Sequence, residues 1–191
     1  MQYCSIDIET CGIDPNNCDI LEFGAVLDDL SCQRPVGSLP TFHCYFILPI
    51  YRGEPFALSM HSKIFRRIAD REEGYTYMSP TRLGNAFKKF LIKAGYEEGQ
   101  GRVTINAAGK NFGAFDLQFL KQQTDLEKHV KIRHRIIEPA MLFVKRGDMV
   151  LPNLEECKER AKQPSNVQHN AIADAIDVIN LVREGLGYKF N

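Results

Sequence analysis

Two acidic side chains stand two residues apart near the start of the sequence, in a segment that alternates polar and apolar residues. From Tyr3 to Glu9 the even positions are Cys, Ile and Ile, whereas Asp7 and Glu9 occupy odd positions. Because residues i and i+2 of a strand share a face, both carboxylates are expected to project from one side of a strand whose other side packs into the core. Taken alone, the pattern also fits the solvated face of an edge strand.

A histidine and a third acid lie near the other end of the sequence. The segment from His169 to Ala175 reads His-Asn-Ala-Ile-Ala-Asp-Ala, and isoleucines recur after it at helical spacing. This pattern predicts a helix with His169 just before it and Asp174 little more than one turn inside it. The small alanines would let that turn lie close to another surface. A loop histidine and an ordinary helical acid are the alternative interpretation.

Asp116 is the single acid between positions 106 and 120, and phenylalanines surround it. The residues before it predict a short buried strand, and Asp116 falls in the first turns of a helix that should start near Asn111. Burying a carboxylate among aromatic rings costs free energy unless something compensates it. A helix N-terminus favours the charged form. A structural role as a helix cap is the alternative.

Together the three segments resemble the DEDDh family of 3′–5′ exonucleases, and the resemblance covers nearly the whole chain in the expected order. The first motif, Asp-x-Glu-Thr with a nearby glycine, appears at 7–12. The second, Phe-Asp-x-x-Phe-Leu, appears at 115–120, and the third, His-x-Ala-x-x-Asp-Ala, appears at 169–175. A tyrosine variant of the family would carry Tyr at position 170, where this chain has Asn170.

The resemblance implies an active site and a pair of cofactors. The implied catalytic residues are Asp7, Glu9, Asp116, His169 and Asp174, and the four carboxylates among them would hold two divalent metal ions, Mg²⁺ or Mn²⁺. Oxygen ligands select such hard ions, and two ions can activate a water and stabilise the leaving oxygen. By the same resemblance, Asp7 would bridge both ions and His169 would take the proton from the attacking water.

Four further residues lie where the resemblance puts the terminal nucleotide. Thr10 belongs to the first motif, and Cys11 stands where the family commonly has a second threonine. Asn111 precedes the second motif, one residue further from it than in many relatives. His61, in Ser-Met-His, lies in a segment like the one before the family's wedge helix, although an exposed surface histidine is the alternative. These four are the expected substrate-binding residues.

The elements that must position these groups follow from periodicity and turn residues. Strands are predicted at 3–9, 20–28, 41–48, 103–108 and 135–138. Helices are predicted from Pro80 to about Ala94, from near Asn111, briefly after Pro139, at about 153–161 and at about 170–184. The expectation is an α/β, ribonuclease H-like mixed five-stranded sheet that begins with a three-strand antiparallel meander and is flanked by helices. Residues 1–191 are expected to form a single exonuclease domain.

The charge balance and the cysteines limit the class of protein. The 191 residues contain 24 basic and 24 acidic side chains, so the formal net charge is zero. Proteins that coat nucleic acid usually carry a basic excess, so neutrality argues against a coating protein but not against an enzyme that grips a few nucleotides at one end. Six cysteines without Cys-x-x-Cys spacing, and no secretory signal, predict reduced thiols in a cytoplasmic protein. No apolar run is long enough to predict a membrane span.

The expected function is release of nucleoside monophosphates from single-stranded DNA or RNA 3′ ends by a two-metal-ion mechanism. An exoribonuclease or oligoribonuclease is one alternative, and an inactive nuclease-like module that binds nucleic acid or protein is another. The partner is the single-stranded nucleic acid 3′ end, no polymerase partner is indicated, and homo-oligomer formation is left open. The basic stretch 128–135 is interpreted as a solvated surface, with substrate contact as its alternative.

Overall fold

The computed structural model describes residues 1–32, 34–164 and 170–188. Its strands, in chain order, are β1 (Gln2–Thr10), β2 (Ile20–Asp29), β3 (Thr41–Phe46), β4 (Tyr77–Met78), β5 (Glu98–Gly99), β6 (Arg102–Ile105), β7 (Ala107–Ala108) and β8 (Val130–Ile132). Its α-helices are α1 (Pro55–Met60), α2 (Ser62–Asp70), α3 (Leu83–Lys93), α4 (Asp116–Gln123), α5 (Leu126–His129), α6 (Ala140–Phe143), α7 (Leu154–Arg160) and α8 (Ala171–Gly185). No helix among these is both long and apolar enough to cross a membrane.

The first three strands form the predicted antiparallel meander. Asp7 pairs with Gly24 between β1 and β2, and Gly24 pairs with His43 between β2 and β3. β4 joins β3 in parallel and β7 joins β1 in parallel, so the sheet has the order β4-β3-β2-β1-β7. The mixed five-stranded sheet flanked by helices therefore confirms the predicted fold class.

The strand predicted at 103–108 is divided between two sheets. β6 lies in a second sheet of order β5-β6-β8, and the chain passes into the main sheet as β7 after Asn106. The Asn106 carbonyl accepts the Cys4 N–H at 2.8 Å, and its side chain donates to the Gln2 carbonyl at 2.8 Å. The strand predicted at 135–138 is wrong, because only Ile137 bridges to the two-residue β7 before the chain turns away.

The two faces of the main sheet pack against different helices. Even-numbered residues of β1 join a large core with α3 and α4, in which the Phe23 and Phe87 rings meet edge to face at 5.2 Å. Tyr3 and Val26, on the opposite face, pack against the apolar stripe of α8. Asp7 and Glu9 share the Tyr3 face, because side chains alternate along a strand. The same alternation that predicted the core therefore puts both acids under α8.

Helix α8 is fixed to the sheet near both of its ends. Near its start it crosses Gly24, where a Cβ would lie 2.6 Å from the backbone carbonyl carbon of Ala171. Near its end the buried Arg183 guanidinium donates to both oxygens of Asp28, at 2.8 and 2.5 Å. The Tyr3 hydroxyl also donates to Asp28 at 2.8 Å. A bidentate pair of this kind fixes direction as well as distance, so α8 lies along the sheet in one orientation.

Replacement of Gly24 by alanine should destabilise the protein by about 1–3 kcal/mol, the usual effect of an added group in a packed interior. The neighbouring atoms belong to the backbone of α8 and cannot rotate away. Gly37→Ala is the matched control, because nothing lies within 4 Å of its Cβ position. Denaturant unfolding would measure both variants. Equal stability of Gly24→Ala and the wild type would show that α8 does not approach the sheet this closely.

Candidate active site

Three carboxylates converge where α8 begins to cross the sheet. Asp7 and Glu9 reach this point from β1, and Asp174 reaches it as the fourth residue of α8. One oxygen of each side chain lies within 4.8 Å of an oxygen of the other two. Three carboxylates this close form a set of oxygen ligands suited to a hard divalent cation.

The first turn of α8 orients Asp174. Asn170 caps the helix, because its side chain accepts the Ala173 N–H at 3.1 Å. Its carbonyl accepts the Asp174 N–H at 3.0 Å, which makes the turn regular from its first residue. Because Gly24 lets the backbone of Ala171 approach the sheet, Asp174 one turn later faces the carboxylates of β1. Ala171 and Ala175 of the third motif are fully buried and thus have the packing role that the sequence predicts.

Asp116 joins these three carboxylates by accepting a backbone N–H of β1 beyond the end of the neighbouring strand β7. The Cys4 N–H donates across the ladder to Asn106, but β7 ends at Ala108, before it reaches the level of Ile8. The Ile8 N–H instead donates to the Asp116 carboxylate at 3.2 Å. Asp116 is the first residue of α4 and is almost completely buried. We call Asp7, Glu9, Asp116 and Asp174 the acidic cluster.

Burial and mutual repulsion raise the pKa values within the acidic cluster. Burial, followed by the charges of Glu22 and Asp174, raises the pKa of Glu9 to about 9. Burial raises the pKa of Asp116 to about 7, although the hydrogen bond from Ile8 opposes the shift. Burial and the surrounding carboxylates also raise the pKa of Asp7 well above its ordinary value. A bound cation would stabilise the ionised forms that this site disfavours.

A fifth acid, Glu22, lies beside the acidic cluster and was missed in the sequence. It pairs with Glu9 across β1 and β2 and is fully buried. One of its oxygens lies 2.7 Å from His43 Nε2 and 3.3 Å from Asn170 Nδ2. In the sequence, Glu22 lies on the face of β2 opposite Leu21 and Phe23, and glutamate is seldom buried without a partner. The signal was Gly24 two residues later, because a glycine inside a strand indicates close approach of another backbone.

Asp7, Asp116 and Asp174 of the acidic cluster line an open cleft of about 410 Å³. Lys110 and Asn111 line the cleft beside Asp116, and Asn153, the N-cap of α7, lines the opposite side. Asn111 adopts a left-handed backbone with φ of 54°, which asparagine tolerates better than most residues. Its N–H donates to the Glu138 carboxylate at 2.6 Å, so the lip of the cleft is held in place.

The other predicted residues differ in their access to the cleft. His61 is buried with Nε2 3.5 Å from a Glu9 oxygen, so it contacts the acidic cluster and is not an exposed surface histidine. The Thr10 hydroxyl donates to the Gly12 carbonyl at 2.7 Å within the following turn. Cys11 is fully buried, and its N–H and carbonyl are both paired with backbone groups, so its position does not support a substrate contact. His169 lies outside the described residues.

Comparison with known proteins identifies the fold. No protein-family model and no curated protein matches the chain. The solved structure of cell-death related nuclease 4 (CRN-4) matches with a TM-score of 0.66 and 15% identity over 97% of this chain and 64% of that one. E. coli exonuclease I in complex with a dT13 oligonucleotide matches with a TM-score of 0.58 and 14% identity. That match covers 95% of this chain and 41% of exonuclease I, so this chain spans less than two thirds of either nuclease.

Without metal, the melting temperature should fall by several degrees between about pH 5 and about pH 9. The pKa of Glu9 is raised to about 9 in the folded protein, so its contribution to stability is full below its ordinary value and is lost as the pH rises through the folded value. Asp116, with a pKa of about 7, contributes in the same direction at the lower end of the range. Excess Mg²⁺ should abolish the fall. Thermal unfolding in EDTA would measure it.

The matched variants are Glu9→Gln and Glu97→Gln. Glu9→Gln should flatten the pH dependence because it removes the titrating group, whereas Glu97→Gln should not, because Glu97 is exposed. A melting temperature that rises with pH in EDTA would contradict the arrangement of the acidic cluster.

Proposed function

We propose that this protein is a metal-dependent 3′–5′ exonuclease that hydrolyses the last phosphodiester bond of a single-stranded nucleic acid. The observation that carries the proposal is the convergence of Asp7, Glu9 and Asp174, with ligand oxygens within 4.8 Å of one another at the wall of an open cleft. A buried set of like charges is unfavourable in a stable fold unless it has a use. Binding divalent cations is the use that fits this set of ligands.

The chemistry of the ligands supports two hard cations, Mg²⁺ or Mn²⁺. Asp7, Glu9 and Asp174 would hold one of them and Asp116, with Asp7, the other. Asp116 has one oxygen engaged by the Ile8 N–H, which leaves its second oxygen for a ligand. When bound, such ions neutralise the carboxylates, promote ionisation of a water and stabilise the leaving oxygen.

The remaining steps belong to side chains of the chain itself. Lys110 and Asn111 line the cleft beside Asp116, where an ammonium and an amide can bind the terminal phosphate and sugar. In the sequence, His169 directly precedes Asn170, the cap of α8. We propose that it accepts the proton of the attacking water, for which the ordinary histidine pKa near 6.5 is suited. His61 would act by orienting Glu9.

The polarity of cleavage rests on the sequence resemblance, and the choice of a single strand also draws on a structural relative. The three motifs of the chain are those of 3′–5′ exonucleases, and exonuclease I of E. coli binds a dT13 oligonucleotide in its solved structure. RNA as the substrate is an alternative with the same active site. An inactive module that binds nucleic acid or protein is the alternative of a different class, which the complete set of carboxylates disfavours.

Incubation with matched DNA and RNA oligonucleotides should release mononucleotides from a free 3′ hydroxyl with Mg²⁺ or Mn²⁺, and not in EDTA. Asp7→Asn should remove activity because it deletes the central ligand. His169→Ala should lower the rate by about 10²–10⁴-fold, the usual effect of losing a general base. Glu97→Gln, on the exposed surface, is the control for both.

Denaturing gels with 5′-labelled strands would follow the reaction. Undiminished cleavage of a strand blocked at its 3′ hydroxyl would refute the proposed polarity. Tight binding of oligonucleotides without hydrolysis in any divalent metal would favour the inactive module. A rate on RNA far above that on DNA would identify the exoribonuclease alternative.

A further inference from the structure

A groove with a basic rim lies beside the active-site cleft. Two adjoining concavities share Lys131, Arg133 and His134. We call their combined surface the basic groove; its cationic side chains are Arg102, Lys121, Lys131, Arg133 and Arg135, and Glu127 is the only acid among the described residues that line it. In a chain with zero net charge, this is a strong local excess of positive charge.

Three of these cations are available to a ligand. Lys131, Arg133 and Arg135 are exposed, and none of them takes part in an ion pair within the described part of the chain. Glu127 is already engaged by Lys121 at 3.4 Å. The three unpaired charges would be satisfied by an anionic partner.

The fold makes these side chains project from the edge of the sheet. Arg133 N–H donates to the Ile105 carbonyl and Ile137 N–H donates to the Ala107 carbonyl, at 3.0 and 2.9 Å. Residues 134–136, between these two hydrogen bonds, do not pair with the sheet. They lie opposite Asn106, where the chain passes from β6 to β7. Arg135 therefore stands on a loop produced by the same break that divides the two sheets.

The basic groove and the active-site cleft are connected by two segments. Lys110 and Asn111 line the cleft, whereas Gly113 of the same loop lines the groove. The second segment is 135–138, in which the Glu138 carboxylate accepts the Asn111 N–H at 2.6 Å. Glu138 follows Arg135 by three residues. Three residues of extended chain span at most about 10 Å. A single-stranded nucleic acid with its end in the active-site cleft can thus continue directly into the basic groove.

We propose that the basic groove binds the backbone phosphates of a single strand whose 3′ nucleotide lies in the cleft. This inference rests on the proposed function and assigns the path of the rest of the substrate. Exposed arginines and lysines above a partly apolar floor, formed here by Leu117 and Ile132, suit a flexible polyanion. The acidic cluster would repel phosphates until metal binds, so the groove supplies the attraction that the cleft lacks.

The triple variant Lys131→Ala, Arg133→Ala and Arg135→Ala tests this path with two substrates. For a 20-nucleotide strand with Mg²⁺, KM should rise about 10-fold or more, and kcat should not change. For a trinucleotide, which is too short to reach the groove, both constants should equal those of the wild type. The dependence of log(kcat/KM) on log salt should also become shallower, by about 0.7 for each phosphate that the variant no longer neutralises.

The control variant removes the same charge elsewhere: Arg82→Ala, Lys89→Ala and Lys93→Ala, all exposed and on or beside α3. An equal rise in KM for this control would overturn the proposal, because net charge would then explain the effect. An unchanged KM for the long strand in the groove variant would also overturn it and would leave an acidic protein segment as the occupant. Fluorescence anisotropy of a labelled 20-nucleotide strand in Ca²⁺ tests the groove even if the protein hydrolyses nothing.

A second inference concerns Glu22 and comes from a separate observation. Its Oε1 lies between His43 Nε2 and the side-chain amide of Asn170, and its Oε2 has no hydrogen-bond partner among the described residues. Asn170 caps α8, which carries Asp174. We infer that Glu22 is a positioning residue that holds the first turn of α8 through Asn170.

A comparison of Glu22→Gln with Glu22→Ala distinguishes the hydrogen bond from Asn170 from an effect of the negative charge of Glu22. The glutamine keeps an acceptor for Asn170 and should preserve kcat within about 3-fold, whereas the alanine should lower kcat about 10-fold or more with little change in KM. Hydrogen exchange at the Ala173 amide should accelerate in Glu22→Ala and not in Glu22→Gln, and this readout needs no activity. Equal loss in both variants, or an Ala173 amide that Glu22→Ala does not affect, would overturn the inference.

Discussion

Repulsion among buried carboxylates is the constraint that the rest of this structure must withstand. Asp7 and Glu9 come from one strand, and Asp174 is held against them by a helix. The fold opposes the repulsion with apolar packing on both faces of the sheet and with contacts near both ends of α8. Gly24 removes the steric obstacle at one end, and the Arg183–Asp28 pair fixes the other. The stability lost in the acidic cluster is therefore supplied by the packing of the sheet and by the contacts that hold α8 against it.

The sequence predicted the three long strands and the helices α3, α7 and α8, because each leaves a periodic signal or a cap, whereas the helices α1, α2 and α5 were not predicted. Apolar residues recur at every second position in β1 to β3, and α7 and α8 have recognisable caps at Asn153 and Asn170. The short edge strands were not predicted correctly, because β4 and β7 have two residues each and cannot show a period. Strand β8 was not predicted within the basic stretch 128–135, which was interpreted as a solvated surface, because charged residues alternate with apolar ones on a half-exposed edge strand as well.

The candidate site was predictable to the extent that local spacing determines it. Asp7 and Glu9 follow from strand geometry, but their meeting with Asp116 and Asp174 came from the family resemblance, since spacing within a segment carries no information on distant contacts. Glu22 could not be recognised, because its burial depends on α8 crossing the strand at Gly24. Cys11 was expected at the substrate on resemblance alone, and the turn after β1 instead buries its side chain in the core.

The sequence distance across the acidic cluster has a consequence for the biogenesis of the protein. The Ile8–Asp116 bond joins residues 108 apart, and the Glu22–Asn170 bond joins residues 148 apart. Contacts of this range form late, because the loop entropy must be lost before the contact stabilises anything. A ribosome-bound chain whose α8 has not yet emerged lacks Asp174 in its place and cannot assemble the acidic cluster. The acidic cluster is therefore a feature of the completely folded segment from β1 to α8, and no shorter part of that segment contains it.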